Sequence, residues 1–155
     1  MNRIQEISAN IVNLEVEIVV NAANATLLGG GGVDGAIHLG AGPELLEACR
    51  KIGGCKTGDA VLTPGFKLRA KHIIHTVGPV YKSNDPACAS LLSSCYLSSL
   101  QIAAELQAES IAFPEISTGA YGYPKDEARK IAHKACEAFL SLSPFPRKVY
   151  LVRLG

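Results

Sequence analysis

Apolar residues along the chain alternate between two periodicities. Val16–Asn21 is β-branched and nearly continuous in its apolar character, the pattern of a strand covered on both faces. Arg3–Ile7 alternates weakly and predicts a short strand. Ala60–Thr63, Lys71–Val77, Ser110–Phe113 and Lys148–Leu154 predict four more. Helical spacing lies between them. Val33–Ile52 places Ile37, Ala41, Leu45, Ala48 and Ile52 near one stripe, with Gly40, Gly42 and Pro43 set to kink or interrupt it. Ala87–Leu106 carries Leu91, Leu92, Cys95, Leu100 and Ala103 as its apolar positions. Lys125–Leu142 is expected to turn Ile131, Ala135, Ala138 and Leu142 inward. Strands alternating with helices define an α/β layered domain. No internal repeat, linker or low-complexity segment divides it.

Composition narrows the function classes. The chain has 155 residues, 48% of them hydrophobic, and a formal net charge of +1. That length suits one domain that needs no metal or disulfide staple. The near-zero charge gives no bulk electrostatic basis for binding nucleic acid or an anionic membrane. An anion must therefore be held by local geometry. No apolar run reaches the ~18 residues needed to span a bilayer. The five cysteines (Cys49, Cys55, Cys88, Cys95, Cys136) are odd in number and form no C-x-x-C pair. A reducing, cytoplasmic setting is expected, without zinc. Cys88 and Cys95 fall on one helix face as small apolar groups.

Two glycine-rich loops carry the candidate chemistry. The first follows the buried strand: Asn21-Ala22-Ala23-Asn24, then Gly29-Gly30-Gly31-Gly32, then a helix start. Glycines let backbone N–H groups approach a phosphate, and the helix N-terminus adds partial positive charge. The run is neither G-x-G-x-x-G nor a Walker loop, which disfavours nucleoside triphosphate hydrolysis. Asp34 falls in the first helical turn, where an acid also suits the helix dipole. Beside a phosphate cradle it could orient a water toward a bound sugar. His38, four residues on, lies over it. Asn21 and Asn24 offer donors and acceptors to sugar hydroxyls, or simple turn chemistry.

The second loop, Pro114–Pro124, also leaves a short strand and enters a helix. Ligands in open α/β sheets sit outside the carboxyl ends of the strands, so two such loops could clamp one diphosphate. Ser117, Thr118 and the backbone N–H groups of Gly119, Ala120 and Tyr121 are the donors. The Tyr121 ring could cover a sugar. The competing reading is a surface turn with two structural tyrosines.

With both loops in view, the sequence resembles the MacroD-type macrodomains. The resemblance is carried by Val19-Val20-Asn21-Ala22-Ala23-Asn24 and by Gly29 through His38. Ala41-Gly42-Pro43, Lys71 through Pro79, Ile116-Ser117-Thr118-Gly119 and Tyr121-Gly122-Tyr123-Pro124 extend it over nearly the whole chain. It implies a three-layer α/β/α sandwich on a mixed, mostly parallel sheet. It also implies a hydrolase that binds ADP-ribose and cleaves mono-ADP-ribosyl esters of protein aspartate and glutamate, and O-acetyl-ADP-ribose, with no metal or other cofactor. Asn24 and Asp34 fall on the family's catalytic asparagine and aspartate, and His38 on a histidine supporting the acid. Gly30, Gly31, Gly32 and Val33, with Ser117, Thr118, Gly119, Ala120 and Tyr121, fall on the loops around the diphosphate. Tyr121 falls on the aromatic beside the distal ribose. Asn21 and Ala22, and Asn10 with Ile11 toward the adenine, complete the expected substrate-binding set.

Three departures from the family pattern carry expectations of their own. The family usually has Gly-Asp-Ile-Thr after its first strand; here the text is Ala9-Asn10-Ile11-Val12. Asn10 can accept from the adenine amino group but brings no charge, and a charged acceptor is worth roughly twice a neutral one. Leu39-Gly40 stands where Arg-Ala is common, and a mid-helix glycine costs about 1 kcal/mol relative to alanine. The family usually continues past its last strand into a loop and helix on the adenosine side. This sequence stops at Gly155, so the expectation is one macrodomain over 1–155, lacking that helix or leaving adenosine more exposed. A monomer is expected. The alternatives are a reader that binds ADP-ribose without turnover, and a regulatory partner of an RNA-processing enzyme, as suggested for some bacterial relatives.

Overall fold

The computed structural model describes residues 2–154. Six strands form one sheet: β1 (Ile4–Ser8), β2 (Ile18–Ala23), β3 (Ala60–Pro64), β4 (His72–Val77), β5 (Ser110–Phe113) and β6 (Lys148–Arg153), in spatial order β1-β6-β5-β2-β4-β3. Every neighbouring pair is parallel except β3 with β4. The sheet is thus mixed and mostly parallel. β2 lies between β4 and β5, which explains its unbroken apolar run: both its faces are covered.

Side-chain alternation along the strands feeds two separate cores. Ile18, Val20, Ile74, Ile111, Phe113 and Val149 face one side. There they meet α3 (Ala87–Glu105) and α4 (Lys125–Leu140) through Leu92, Cys95, Leu100, Ala132 and Cys136. The Tyr96 ring packs on Phe113 with centroids 4.8 Å apart. Val19, Ile73, Ala112 and Val152 face the other side. They meet α1 (Gly32–Ala41) and α2 (Pro43–Ile52) through Ile37, Ala41, Leu45 and Cys49. The expected three layers are present. α3 is long and apolar enough in composition to cross a membrane. Here its apolar stripe is spent on the sheet and on α4. Burial pushes the Cys95 thiol up to about 11 and that of Cys136 to about 12, so both stay protonated as small apolar groups.

The interruption expected at Gly42 and Pro43 is present, but two helical faces need correction. Val33–Ile52 is two helices, because Gly42 adopts φ +91° and ends α1 while Pro43 opens α2. The break resets the helical phase. Leu45 and Cys49 are buried, Ala48 is only half-buried, and Ile52 turns outward at 38% exposure. In α4 the buried face is Ala128, Ala132, Ala135, Cys136 and Leu140. Ile131 is half-buried, Ala138 is exposed, and Leu142 lies past the helix end at 90% exposure.

These placements separate two apolar residues of similar character. Phe113→Ala should cost about 3–5 kcal/mol of unfolding free energy. Leu142→Ser should change it by less than about 0.5 kcal/mol. Urea unfolding of the two variants measures both.

Candidate active site

Because β2, β4 and β5 run parallel, the segments that follow them leave at the same sheet edge. The loop after β2, the turn at Gly78 and the loop after β5 enclose a cleft with about 370 Å³ of open space. One wall comes from Ala22, Asn24, Gly30, Gly31, Gly32 and Val33, with Asp34 behind them. The other comes from Ser117, Gly119, Ala120 and Tyr121. Ala23, Gly78 and Pro114–Ile116 also line the cleft. These belong to the motifs noted in the sequence but not to the expected substrate-binding set; their adjacency to the two loops is the signal that marks them.

Asp34 sits in the first turn of α1 and is 5% exposed. Its Oδ1 accepts a hydrogen bond from Asn21 Nδ2 at 2.9 Å, and His38 Nε2 lies 3.5 Å from the same oxygen. Oδ2 points toward Gly30. A Cβ built on Gly30 would stand 3.2 Å from Oδ2 and 3.6 Å from Asn24 Nδ2, so a side chain there would crowd both groups. Gly35 is held to glycine as well, since its Cβ would collide with the Gly30 carbonyl. The glycine loop is therefore folded down onto the helix that carries the acid.

Asn24 does turn chemistry and lines the cleft as well. Its Oδ1 accepts from Thr26 Oγ1 at 2.7 Å and from Leu27 N at 3.1 Å, and its Nδ2 donates to Gly29 O at 3.0 Å. One N–H of the amide is left over for a ligand. Asn21 is different: it is fully buried and belongs to a polar chain inside the α1-facing core. Besides Asp34, its Nδ2 contacts His75 Nδ1 at 3.1 Å, and His75 Nε2 contacts Thr63 Oγ1 at 3.0 Å. Neither His75 nor Thr63 was picked out from the sequence as a site residue. Burial, with His38 nearby, lowers the His75 pKa to about 4.

The second loop is braced from within. Tyr123 N donates to Ser117 O at 2.8 Å, and Tyr81 N donates to Tyr121 O at 2.9 Å. The buried Tyr123 ring packs against Tyr81 with centroids 4.8 Å apart, while Tyr121 stays half-buried on the cleft wall. One tyrosine is structural and the other faces the cleft. Ser117 holds a left-handed backbone at φ +67°, and its buried hydroxyl has no partner among the described residues. It fits only because Gly78 opposite lacks a Cβ, which would collide with it.

Five expected site residues lie off the cleft wall, one of them His38, a turn along α1 from Asp34. Asn21 stands behind Asp34 as described. Thr118 turns away and donates to Glu115 O at 2.8 Å. Asn10 is exposed and caps the 3₁₀ turn Ile11–Asn13, its Oδ1 accepting from Val12 N at 3.3 Å. Ile11 is buried in the core under α1. Among the described residues no three His, Cys, Asp or Glu side chains stand close enough together to hold a metal ion.

Two glycine loops thus face each other across the cleft, with a held carboxylate at one wall. The chain belongs to the Macro domain family, whose model matches residues 20–132. It is 51% identical over 152 residues to a Macro domain-containing protein of Methanosarcina mazei, covering 98% of this chain and 81% of that one. It is 50% identical over 155 residues to an O-acetyl-ADP-ribose deacetylase of Salmonella gallinarum, covering 97% and 87%. Among solved structures, the Oceanobacillus iheyensis macrodomain with ADP superposes with a TM-score of 0.93 at 41% identity. That match covers 97% of this chain and 82% of the other. The Trypanosoma brucei macrodomain in complex with ADP-ribose gives 0.92 at 39%, covering 99% and 64%.

Two measurements follow from the site's local physics. Ser117→Gly removes both a left-handed side chain and an unpaired buried hydroxyl, so it should raise stability by about 1 kcal/mol, seen as a higher Tm. His75 should give the fold an acid-sensitive window. Unfolded, it takes up a proton near pH 6.5; folded, only near 4. Between these values the unfolded chain binds more protons, so stability is full above about 6.5 and falls as pH drops toward about 4. The loss reaches about 3 kcal/mol. Unfolding free energies of wild type and His75→Gln across pH 4–7 isolate this contribution, which the variant should lack.

Proposed function

We propose that this chain binds ADP-ribose in the cleft and hydrolyses its esters, O-acetyl-ADP-ribose and mono-ADP-ribosyl aspartate or glutamate on proteins. The carrying observation is the state of Asp34, with one carboxylate oxygen tied down inside the protein and the other turned toward the glycine loop. The similarity to the O-acetyl-ADP-ribose deacetylase of Salmonella gallinarum and to the ADP-ribose complex of the Trypanosoma macrodomain supports the ligand class.

In this reading the diphosphate rests on backbone N–H groups of Gly30–Val33 and Gly119–Tyr121. The N-terminus of α1 adds favourable charge. Tyr121 covers the distal ribose. Asp34 Oδ2 and the remaining N–H of Asn24 hold a water near the ester, and Asp34 draws off a proton as the water oxygen bonds to the acyl carbon. The ester C–O bond breaks, and the ribose oxygen leaves with a proton as a hydroxyl. One water is consumed, giving a carboxylic acid and ADP-ribose. His38 keeps Asp34 placed from the following turn. The adenine end is lightly built, since Asn10 is exposed and already serves its own turn. The chain acts as a monomer in the cytoplasm; its free cysteines suit a reducing compartment.

Turnover of O-acetyl-ADP-ribose and release of ADP-ribose from a glutamate-linked protein test the reading. Asp34→Ala should lower the rate by about 100-fold or more while calorimetry still detects ADP-ribose binding. Binding by the wild type with no turnover would leave a reader module in place of the enzyme. An Asp34→Ala variant as fast as wild type would remove Asp34 from the mechanism.

A further inference from the structure

His75 belongs to a part of the sequence that neither loop accounts for. It lies in the middle of β4, between Ile73, Ile74 and Val77, and is completely buried. A polar residue in such a place needs partners, and the sheet register supplies one. His75 is the direct neighbour of Asn21 across the parallel β2–β4 pair. Thr63, on antiparallel β3, sits diagonally opposite and reaches the other ring nitrogen.

With the Asp34 carboxylate as acceptor, one assignment satisfies the contacts along this chain, leaving only Asn21 Oδ1 of these groups without a partner among the described residues. The Asp34 carboxylate accepts, so the Asn21 amide must turn its nitrogen toward it. The same nitrogen faces His75 Nδ1, which must then accept. The ring proton therefore sits on Nε2 and is donated to Thr63 Oγ1. The Thr63 hydroxyl in turn donates to Pro64 O at 3.2 Å. Rotating the Asn21 amide would set its oxygen against the carboxylate. Protonating His75 would set an N–H against the Asn21 N–H.

We infer that His75 is a positioning residue for hydrolysis: held by Thr63 as the neutral Nε2–H tautomer, it locks the Asn21 amide, which decides which oxygen of Asp34 is held and which faces the cleft. This rests on the role given to Asp34 above. The titratable groups facing this chain from the packed helices are Asp34 and His38 on α1 and Cys49 on α2; β3 contributes only Thr63. His38 disfavours protonation of His75, as burial does. The neutral form is thus present wherever the fold is intact near neutral pH.

Two variants separate positioning from packing. The amide oxygen of His75→Asn can replace Nδ1 as acceptor for Asn21. The longer side chain of His75→Gln fills the space better, but its amide reaches the Nε2 position and leaves Asn21 without an acceptor. Positioning predicts that His75→Asn keeps kcat within about threefold of wild type. His75→Gln should lose about tenfold or more, with KM changed less than about twofold in both. A packing role predicts the reverse order, following volume. The hydrolase reading is tested by the same assay, because absent wild-type turnover overturns both ideas. Turnover with His75→Gln equal to or faster than His75→Asn overturns only this one. If neither variant folds, nitrogen NMR of histidine-labelled wild type at pH 7 decides. An Nε2–H tautomer for His75 supports the assignment; an Nδ1–H tautomer or an imidazolium overturns it.

Discussion

The hydrogen bond from Asn21 to Asp34 joins the central strand of the sheet to the first turn of the helix that borders the cleft. Both residues are buried, so each would suffer if the bond were lost: an unpaired amide on one side, a poorly solvated carboxylate on the other. The bond fixes where α1 begins relative to the sheet edge. That in turn fixes the height of the glycine loop, which must run from the end of β2 to the start of α1. Gly35 and Gly30 complete the arrangement by letting the loop backbone touch the helix. A small displacement of α1 would open the cleft floor and move the acid together with it.

The second wall is placed by different means. The loop after β5 is held by its own turns, by the Tyr81 and Tyr123 rings, and by the close approach of Ser117 to Gly78. Ser117 is kept in a left-handed conformation with its hydroxyl buried and without a partner among the described residues. Such strain persists only when its surroundings over-determine it. Here a strand end, a neighbouring loop and two aromatic rings do so. That hydroxyl belongs to a residue of the cleft wall.

Much of this was legible in the sequence because burial leaves a period. The strands were visible as β-branched runs, and both loops as glycine-rich joints between a strand and a helix. The helical faces were read less well. Gly42 resets the phase between α1 and α2, and a stripe drawn through it puts Ile52 inward when it is not. In α4, alanines occupy so many positions that apolar spacing does not choose between Ala135 and Ala138. The site was visible where residues are adjacent in sequence, as at Gly30–Asp34 and Ser117–Tyr121. It was hidden where strand pairing makes the contact. Asn21 and His75 lie far apart along the chain and become neighbours only through the register of β2 and β4. The signal that was present, a histidine inside an apolar strand, pointed to a partner without identifying it. Asn10 shows the opposite limit: its place in the chain suggested a ligand contact, but its side chain is occupied by the local turn.

The sheet also divides the molecule into two cores that share only backbone. All the buried polar residues that support Asp34 lie on the α1 side, while α3 and α4 pack on the other. Changes far apart with no common partners combine additively. Away from Tyr81, Ile116 and Tyr123, which brace the second wall of the cleft, the α3–α4 layer is therefore a place where sequence can drift, or be redesigned for heat tolerance, with little effect on the acid across the sheet. The layer around α1 has no such freedom, and variation there is coupled to the acid.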